Sequence, residues 1–103
     1  MMTPMTITLD WIGAPMTVDG YQVSKHFGTH RTQFGHRWQL THLRSGRSVP
    51  DSHRATAIAC RVLAAKLERL RCLNWHHLTA LTSITQAQRI KILDITAKHR
   101  RIN

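Results

Sequence analysis

Arg37-Trp38-Gln39-Leu40-Thr41-His42-Leu43-Arg44-Ser45-Gly46-Arg47-Ser48-Val49-Pro50-Asp51-Ser52 is the stretch that decides the fold. Trp38, Leu40 and His42 alternate with Arg37, Gln39 and Thr41 at the period of two that a half-buried strand shows, so 37–43 reads as a strand. Arg44-Ser45-Gly46 makes the next turn and Arg47 to Val49 a short return. Pro50-Asp51-Ser52 stops that return, and Asp51 or Ser52 offers a side-chain oxygen to cap the first amides of a helix.

The helix is expected over 52–71. At 100° per residue, Ile58, Ala59, Val62, Leu63, Leu67 and Leu70 share one broad face that would cover the sheet, with Lys66 inside it and obliged to snorkel. Ala57, Cys60 and Ala64 form a narrow seam on nearly the opposite side, which predicts a second packing neighbour. Upstream, Thr6 to Trp11 reads as a strand ending at Gly13-Ala14-Pro15. Met16 to Val18 reads as a strand entering an Asp19-Gly20 turn, Tyr21 to Phe27 as its return, and Gly28 to Gly35 as a polar loop. Downstream, Leu73-Asn74-Trp75 interrupts the helix, and Trp75 to Leu81 reads as a short helical turn that drops Trp75 and Leu78 onto the core.

Ser83 and Gln86 have capping-box spacing, which predicts a last helix over 84–98. A strand through Arg89 to Ile95 is the competing reading, because the isoleucines there favour β structure. On the helix, Ile84, Ile92 and Ile95 project to one side and Ile90, Leu93 and Ala97 to the other, so Ile84, Ile92 and Ile95 mark a face for a second subunit or partner. The expected class is α+β: a small antiparallel sheet of three or four strands (6–49) packed on one main helix, with a C-terminal helix, in a single domain spanning 1–103.

Size and charge bound the function. The 103 residues carry 15 Lys plus Arg against 5 Asp plus Glu, a formal charge of +10. A chain this short buries only about 65% of its unfolded surface, enough for one modest core. No signal-like start and no apolar run of roughly 18 residues is present, so a cytoplasmic protein without a membrane span is expected. Cys60 and Cys72, in or just beyond one helix, would stand roughly 18 Å apart, and both are expected as free thiols.

Catalytic chemistry finds little support. His26, His30 and His36 invite a metal site, but a structural zinc usually needs four Cys or His ligands and a paired cysteine element, so no metal or other cofactor is expected. The five carboxylates show no short-range pairing that would gather magnesium, nothing in the sequence supplies a base beside either cysteine, and no Gly-rich phosphate loop exists. Phe27, Trp11, Trp38 and Trp75 are expected in the core, and Phe34 is read the same way.

The cationic side chains are more informative. The first 24 residues contain no Lys or Arg, so all 15 lie in 25–103, against three carboxylates there. Residues 25–37 interleave Lys25, His26, His30, Arg31, His36 and Arg37 with Phe27, Phe34 and hydroxyl side chains, a composition that contacts phosphates and stacks on bases. Arg44 and Arg47 flank the next turn, Arg54 and Arg61 form an exposed pair on the helix, and Lys98, Arg100 and Arg101 make a basic tail. Arg outnumbers Lys by 11 to 4, which favours planar, bidentate contacts to phosphate or carboxylate. Lys25, His30, Arg31, Arg37, Arg44, Arg47, Arg54 and Arg61 are therefore the candidate contacts to nucleic acid or to an acidic partner.

Trp38 to Gly46, followed by Val49 and the alanine-rich Ala55 to Leu67, resembles a group of small uncharacterised proteins from bacteriophages and other mobile elements. The resemblance covers residues 37–75 and implies a non-catalytic binding role, toward nucleic acid, a ribonucleoprotein or a host protein. Inhibitors of host defence, such as anti-CRISPR proteins, are among the functions it suggests. The strand, hairpin and helix layout is also similar to integrase arm-binding domains, whose three-stranded sheet enters the DNA major groove. The extra C-terminal helix and acidic first strand of this chain depart from those domains.

Overall fold

The computed structural model describes residues 2–11, 14–32, 37–70, 73–76 and 84–102, with the side chains of Trp11, Arg101 and Ile102 outside that description. In chain order it forms β1 (Thr3–Trp11), β2 (Ala14–Gln22), β3 (Phe27–Arg31), β4 (Trp38–His42), β5 (Arg47–Ser48), α1 (Ala57–Glu68) and α2 (Gln86–Ile102). The strands make one antiparallel sheet in the order β1-β2-β3-β4-β5. The class is α+β, with five strands where three or four were expected.

The difference lies upstream of β4. β2 runs through Asp19-Gly20, which pair with Thr6 and Met5, so this dipeptide is not the expected turn. Glycine is needed there for close approach: a Cβ on Gly20 would overlap the Thr29 carbonyl oxygen and come within 2.7 Å of Ile7 Cδ1. The expected strand over Tyr21 to Phe27 is broken by a bend, closed by the Val23 and Ser24 amides donating to the Phe27 carbonyl at 3.1 and 3.3 Å. β3 then occupies the first part of the stretch expected as a polar loop. Gln33 to Gly35 of that stretch, with Phe34, and His36 just beyond it lie outside the described residues.

Helix α1 begins five residues later than expected. Its N-cap is Thr56, in extended conformation, whose hydroxyl accepts the Ala59 amide at 3.1 Å. Ser52 instead buries its hydroxyl against the backbone, 2.6 Å from the Val49 carbonyl oxygen. Asp51 adopts φ 55°, a left-handed conformation that aspartate tolerates. Arg54 lies in an extended segment and exchanges two backbone hydrogen bonds with Trp38, at 2.7 and 2.8 Å. The buried face of α1 consists of Ala59, Cys60, Leu63, Ala64 and Leu67. It merges part of the expected stripe with two residues of the expected seam, while Ile58 and Val62 are 62% and 45% exposed.

The core joins that face to Val23, Phe27, Leu40, Val49, Trp75 and Ile92. Phe27 packs edge-on against Trp75 with ring centroids 4.8 Å apart. Trp75 is tied at both ends, its indole N–H donating to the Leu67 carbonyl and its own carbonyl accepting from His42 Nε2, each at 2.9 Å. Trp38 is only half-buried, and Leu78 and the Trp11 side chain lie outside the described residues.

Residues 89–95 are helical, and α2 is capped by Thr85 and Gln88, whose side chains reciprocally bond each other's amides at 2.9 and 3.1 Å. This box falls two residues after the expected one at Ser83, which lies outside the described residues. Ile92 is fully buried, and Ile84 and Ile95 pack against the core. These three isoleucines therefore serve the chain's own interior, which corrects their reading as a face for a second subunit; Ile90, on the other side, is 56% exposed.

Two features roll the sheet until its first and last strands meet. Gly46, with φ 70°, lets the β4–β5 turn approach β1 so closely that a Cβ would lie 2.8 Å from the Asp10 amide nitrogen. That amide donates to the Gly46 carbonyl at 2.9 Å, and Arg47 Nε donates to Asp10 Oδ2 at 3.0 Å. Ile7 and Leu9 are buried on the concave side of this roll, while α1 packs on β3 and β4 from the other side.

Candidate functional site

The concave side of the rolled sheet opens into a cleft of about 610 Å³. Strand parity explains its lining. In β3 and β4, Thr29 lies opposite Leu40 and Phe27 opposite His42, all four toward the helices, so His30, Gln39 and Thr41 point the other way, into the roll. Leu9, Met16 and Val18 supply an apolar wall from β1 and β2. Arg31, Arg37 and Arg47 stand around the cleft with His53, and Asp10, which is paired with Arg47, is the carboxylate among its lining residues.

The polar floor is neutral. His30 Nδ1 lies 3.0 Å from the Arg31 carbonyl, which can only accept, so Nδ1 carries the proton and Nε2 accepts from the Thr41 hydroxyl at 3.3 Å. Burial pushes the His30 pKa down, and the nearby His53 adds to this against the carbonyl bond. His30 is thus a hydrogen-bonding group at neutral pH. The Arg31 guanidinium lies over the Trp38 ring, 5.3 Å from its centroid, on the face of β3 and β4 opposite His30 and Thr41, so it borders the cleft from the rim. Arg37 donates to the His53 carbonyl at 3.4 Å. On the outer side Arg31 and Trp38 also border a shallow groove of about 530 Å³ with Pro4, Thr6, Asp19 and Tyr21.

Four of the eight candidates from the sequence therefore converge: His30, Arg31, Arg37 and Arg47. Lys25, Arg44 and Arg61 are exposed but line neither the cleft nor the groove. Arg54 is corrected: it is 2% exposed and does not lie on the helix beside Arg61. Its Nε donates to His99 Nδ1 at 2.9 Å, Nη1 to the Asp51 and His53 carbonyls at 3.0 and 2.7 Å, and Nη2 to the Thr96 carbonyl at 2.8 Å. Arg54 thus clamps α2 to the edge of β4. In the tail, Lys98 pairs with Asp94 and Arg100 with Asp51, at 3.0 and 2.8 Å. The Arg101 side chain lies outside the described residues.

Sequence reasoning missed the apolar wall, Asp10 and His53. The period of two in Met16 and Val18 was a usable signal for the wall. Nothing local ties Asp10 to Arg47, 37 positions away. Among the described residues no three His, Cys, Asp or Glu side chains come together in a way that would hold a metal ion. His26 instead donates its amide and Nδ1–H to Glu68, at 2.8 and 2.6 Å. Cys60 is a free, buried thiol whose pKa burial pushes up, while Cys72 lies outside the described residues. Among the described residues no helix is long and apolar enough to cross a membrane. Comparison with protein families, curated proteins and solved structures finds no match for the chain.

Proposed function

We propose that this chain is a non-catalytic basic binding protein that engages nucleic acid or a nucleoprotein complex through the mouth of the rolled sheet. The observation that carries the proposal is that Arg31, Arg37 and Arg47 line one cleft against a single lining carboxylate, Asp10, which compensates Arg47 and leaves Arg31 and Arg37. Asp51 and Asp94 each neutralise one cation, Glu68 is held by His26 and Asp19 borders the outer groove, which leaves the formal excess of +10 on the remaining surface. The resemblance of residues 37–75 to small phage and mobile-element proteins supports the same kind of role.

A second reading, an anti-CRISPR-like inhibitor acting by direct contact with a host defence protein, draws on Ile58 and Val62. They lie exposed beside Arg61 on the outer face of α1.

A salt titration separates the two. Phosphate contacts by Arg31 and Arg37 predict that log K for duplex DNA falls against log salt with a slope of about −1.8, so affinity drops roughly 12-fold between about 50 and 200 mM salt. Arg31→Glu with Arg37→Glu should remove nearly all of that slope. An oligonucleotide titration that stays flat at about 50 mM salt sinks the nucleic-acid reading. A salt-tolerant complex with one host protein, lost in Ile58→Asp, favours the second.

A further inference from the structure

We propose that the cleft is a slot for one unpaired nucleotide, with the base inside the roll and its phosphate at the arginine mouth. This rests on the nucleic-acid reading above and narrows it from polyanions in general to single strands.

Three observations converge on a ligand of that shape. First, the volume of about 610 Å³ lies in the range of pockets that enclose a small organic molecule, and a lone phosphate would leave most of it empty. Second, the interior has two kinds of surface: the side chains of Leu9, Met16 and Val18 form an apolar wall, and His30, Gln39 and Thr41 form a polar floor. A nucleobase has the matching division, an apolar π face and a polar edge. Third, the charges are segregated. Burial keeps the His30–Thr41 pair at the floor neutral, while the cationic side chains lie at the rim: Arg37, Arg47 in its pair with Asp10, and Arg31 on the Trp38 side. A ligand that is neutral and polar at its inner end and anionic at its outer end fits this order. An acidic peptide would place its carboxylates against the arginines but offer no flat group with a hydrogen-bonding edge for the interior.

A base paired in a duplex cannot enter, because its edge is occupied and its faces are stacked. The slot therefore discriminates by strandedness. Arg31 held on the Trp38 ring is placed to contact the phosphate next to the inserted base, with Trp38 available as a second stacking surface outside.

The test uses the whole chain. A fluorescent single-stranded oligonucleotide and its duplex are titrated at about 50 mM salt, and nucleoside monophosphates, nucleosides and inorganic phosphate are titrated into isotopically labelled protein. The proposal expects the single strand to bind at least roughly tenfold more tightly than the duplex. It also expects monophosphates to shift the methyl resonances of Leu9, Met16 and Val18 more than nucleosides or phosphate do. Val18→Trp, which fills the slot and leaves the arginines in place, should abolish that preference while keeping salt-dependent binding to duplex. If this variant fails to fold, the methyl titration of the unaltered chain decides alone.

Equal affinity for single strand and duplex, with methyl signals unmoved by monophosphates, overturns the slot and leaves the electrostatic reading standing. Monophosphates that bind while no oligonucleotide does overturn the polymer reading and keep the slot, as a site for free nucleotides. Methyl shifts produced equally by inorganic phosphate overturn base insertion.

Discussion

A guanidinium can be buried in a small domain only if its N–H groups find acceptors, because an unpaired buried charge costs several kcal/mol. Arg54 meets that condition with His99 Nδ1 and the carbonyls of Asp51, His53 and Thr96. The role was not legible in the sequence, where Arg54 stands seven residues before Arg61 and shares its helical phase. What broke the phase was the late helix start at Thr56, which leaves Arg54 in an extended segment. The two arginines should therefore respond oppositely to truncation. Arg54→Ala leaves buried acceptors unpaired and should lower the unfolding free energy by roughly 2–4 kcal/mol in urea titration, whereas Arg61→Ala should change it by less than about 0.5 kcal/mol. Equal, small effects would return Arg54 to the exposed surface where its sequence position had placed it.

At the scale of elements, the sheet shows which patterns survive translation into structure. β4 was legible because Trp38 to His42 alternates, and α2 because a capping box precedes a run without breakers. β3 was not legible. Phe27-Gly28-Thr29-His30-Arg31 is covered by α1 on one side and by the β1–β2 hairpin on the other, so Phe27, Gly28, Thr29 and His30 are all buried and the period of two disappears. Its polar residues look like a loop because their partners are remote: Thr29 Oγ1 donates to the Gln39 carbonyl at 2.8 Å, and His30 meets Thr41. The same remoteness hid half of the site. Arginine composition pointed to the mouth of the cleft, but the wall exists only after β1 rolls over β3. Gly20 tests this account. In an exposed turn of positive φ, replacing it by alanine would cost about 1 kcal/mol or less. Inside β2, where a Cβ comes within 2.7 Å of Ile7 Cδ1 and overlaps a backbone oxygen of Thr29, Gly20→Ala should cost roughly 1–3 kcal/mol. The loss should appear as a lower urea midpoint together with shifted backbone resonances in β3.

For the whole molecule, the burial of histidines sets the response to acid. His30, His42 and His99 each have pKa values lowered first of all by burial, which keeps them neutral in the fold against the carbonyl bonds made by His30 and His42. His42 accepts at Nδ1 from Ser45 while Nε2–H serves Trp75, and His99 accepts at Nδ1 from Arg54. The unfolded chain takes up protons on these groups below about pH 6.5, where the folded chain resists them, so stability rises with pH across that window. The contribution is complete above about pH 6.5 and is lost as pH falls toward the folded values, at up to about 1.4 kcal/mol per pH unit for each histidine. Glu68 acts lower: burial pushes its pKa up, but the hydrogen bonds from His26 prevail and hold it below the ordinary value of 4.5, so its share is lost only in stronger acid. Urea midpoints should therefore fall steadily from about pH 7 to about pH 5, well before carboxylates titrate. A midpoint that holds constant to about pH 5 would contradict the buried neutral state of all three. Protonation of these histidines is coupled to unfolding, so it dismantles the roll that forms the cleft. Base insertion should consequently fade in acid together with the urea midpoint, the preference for single strands being lost over the same pH range in the oligonucleotide titration.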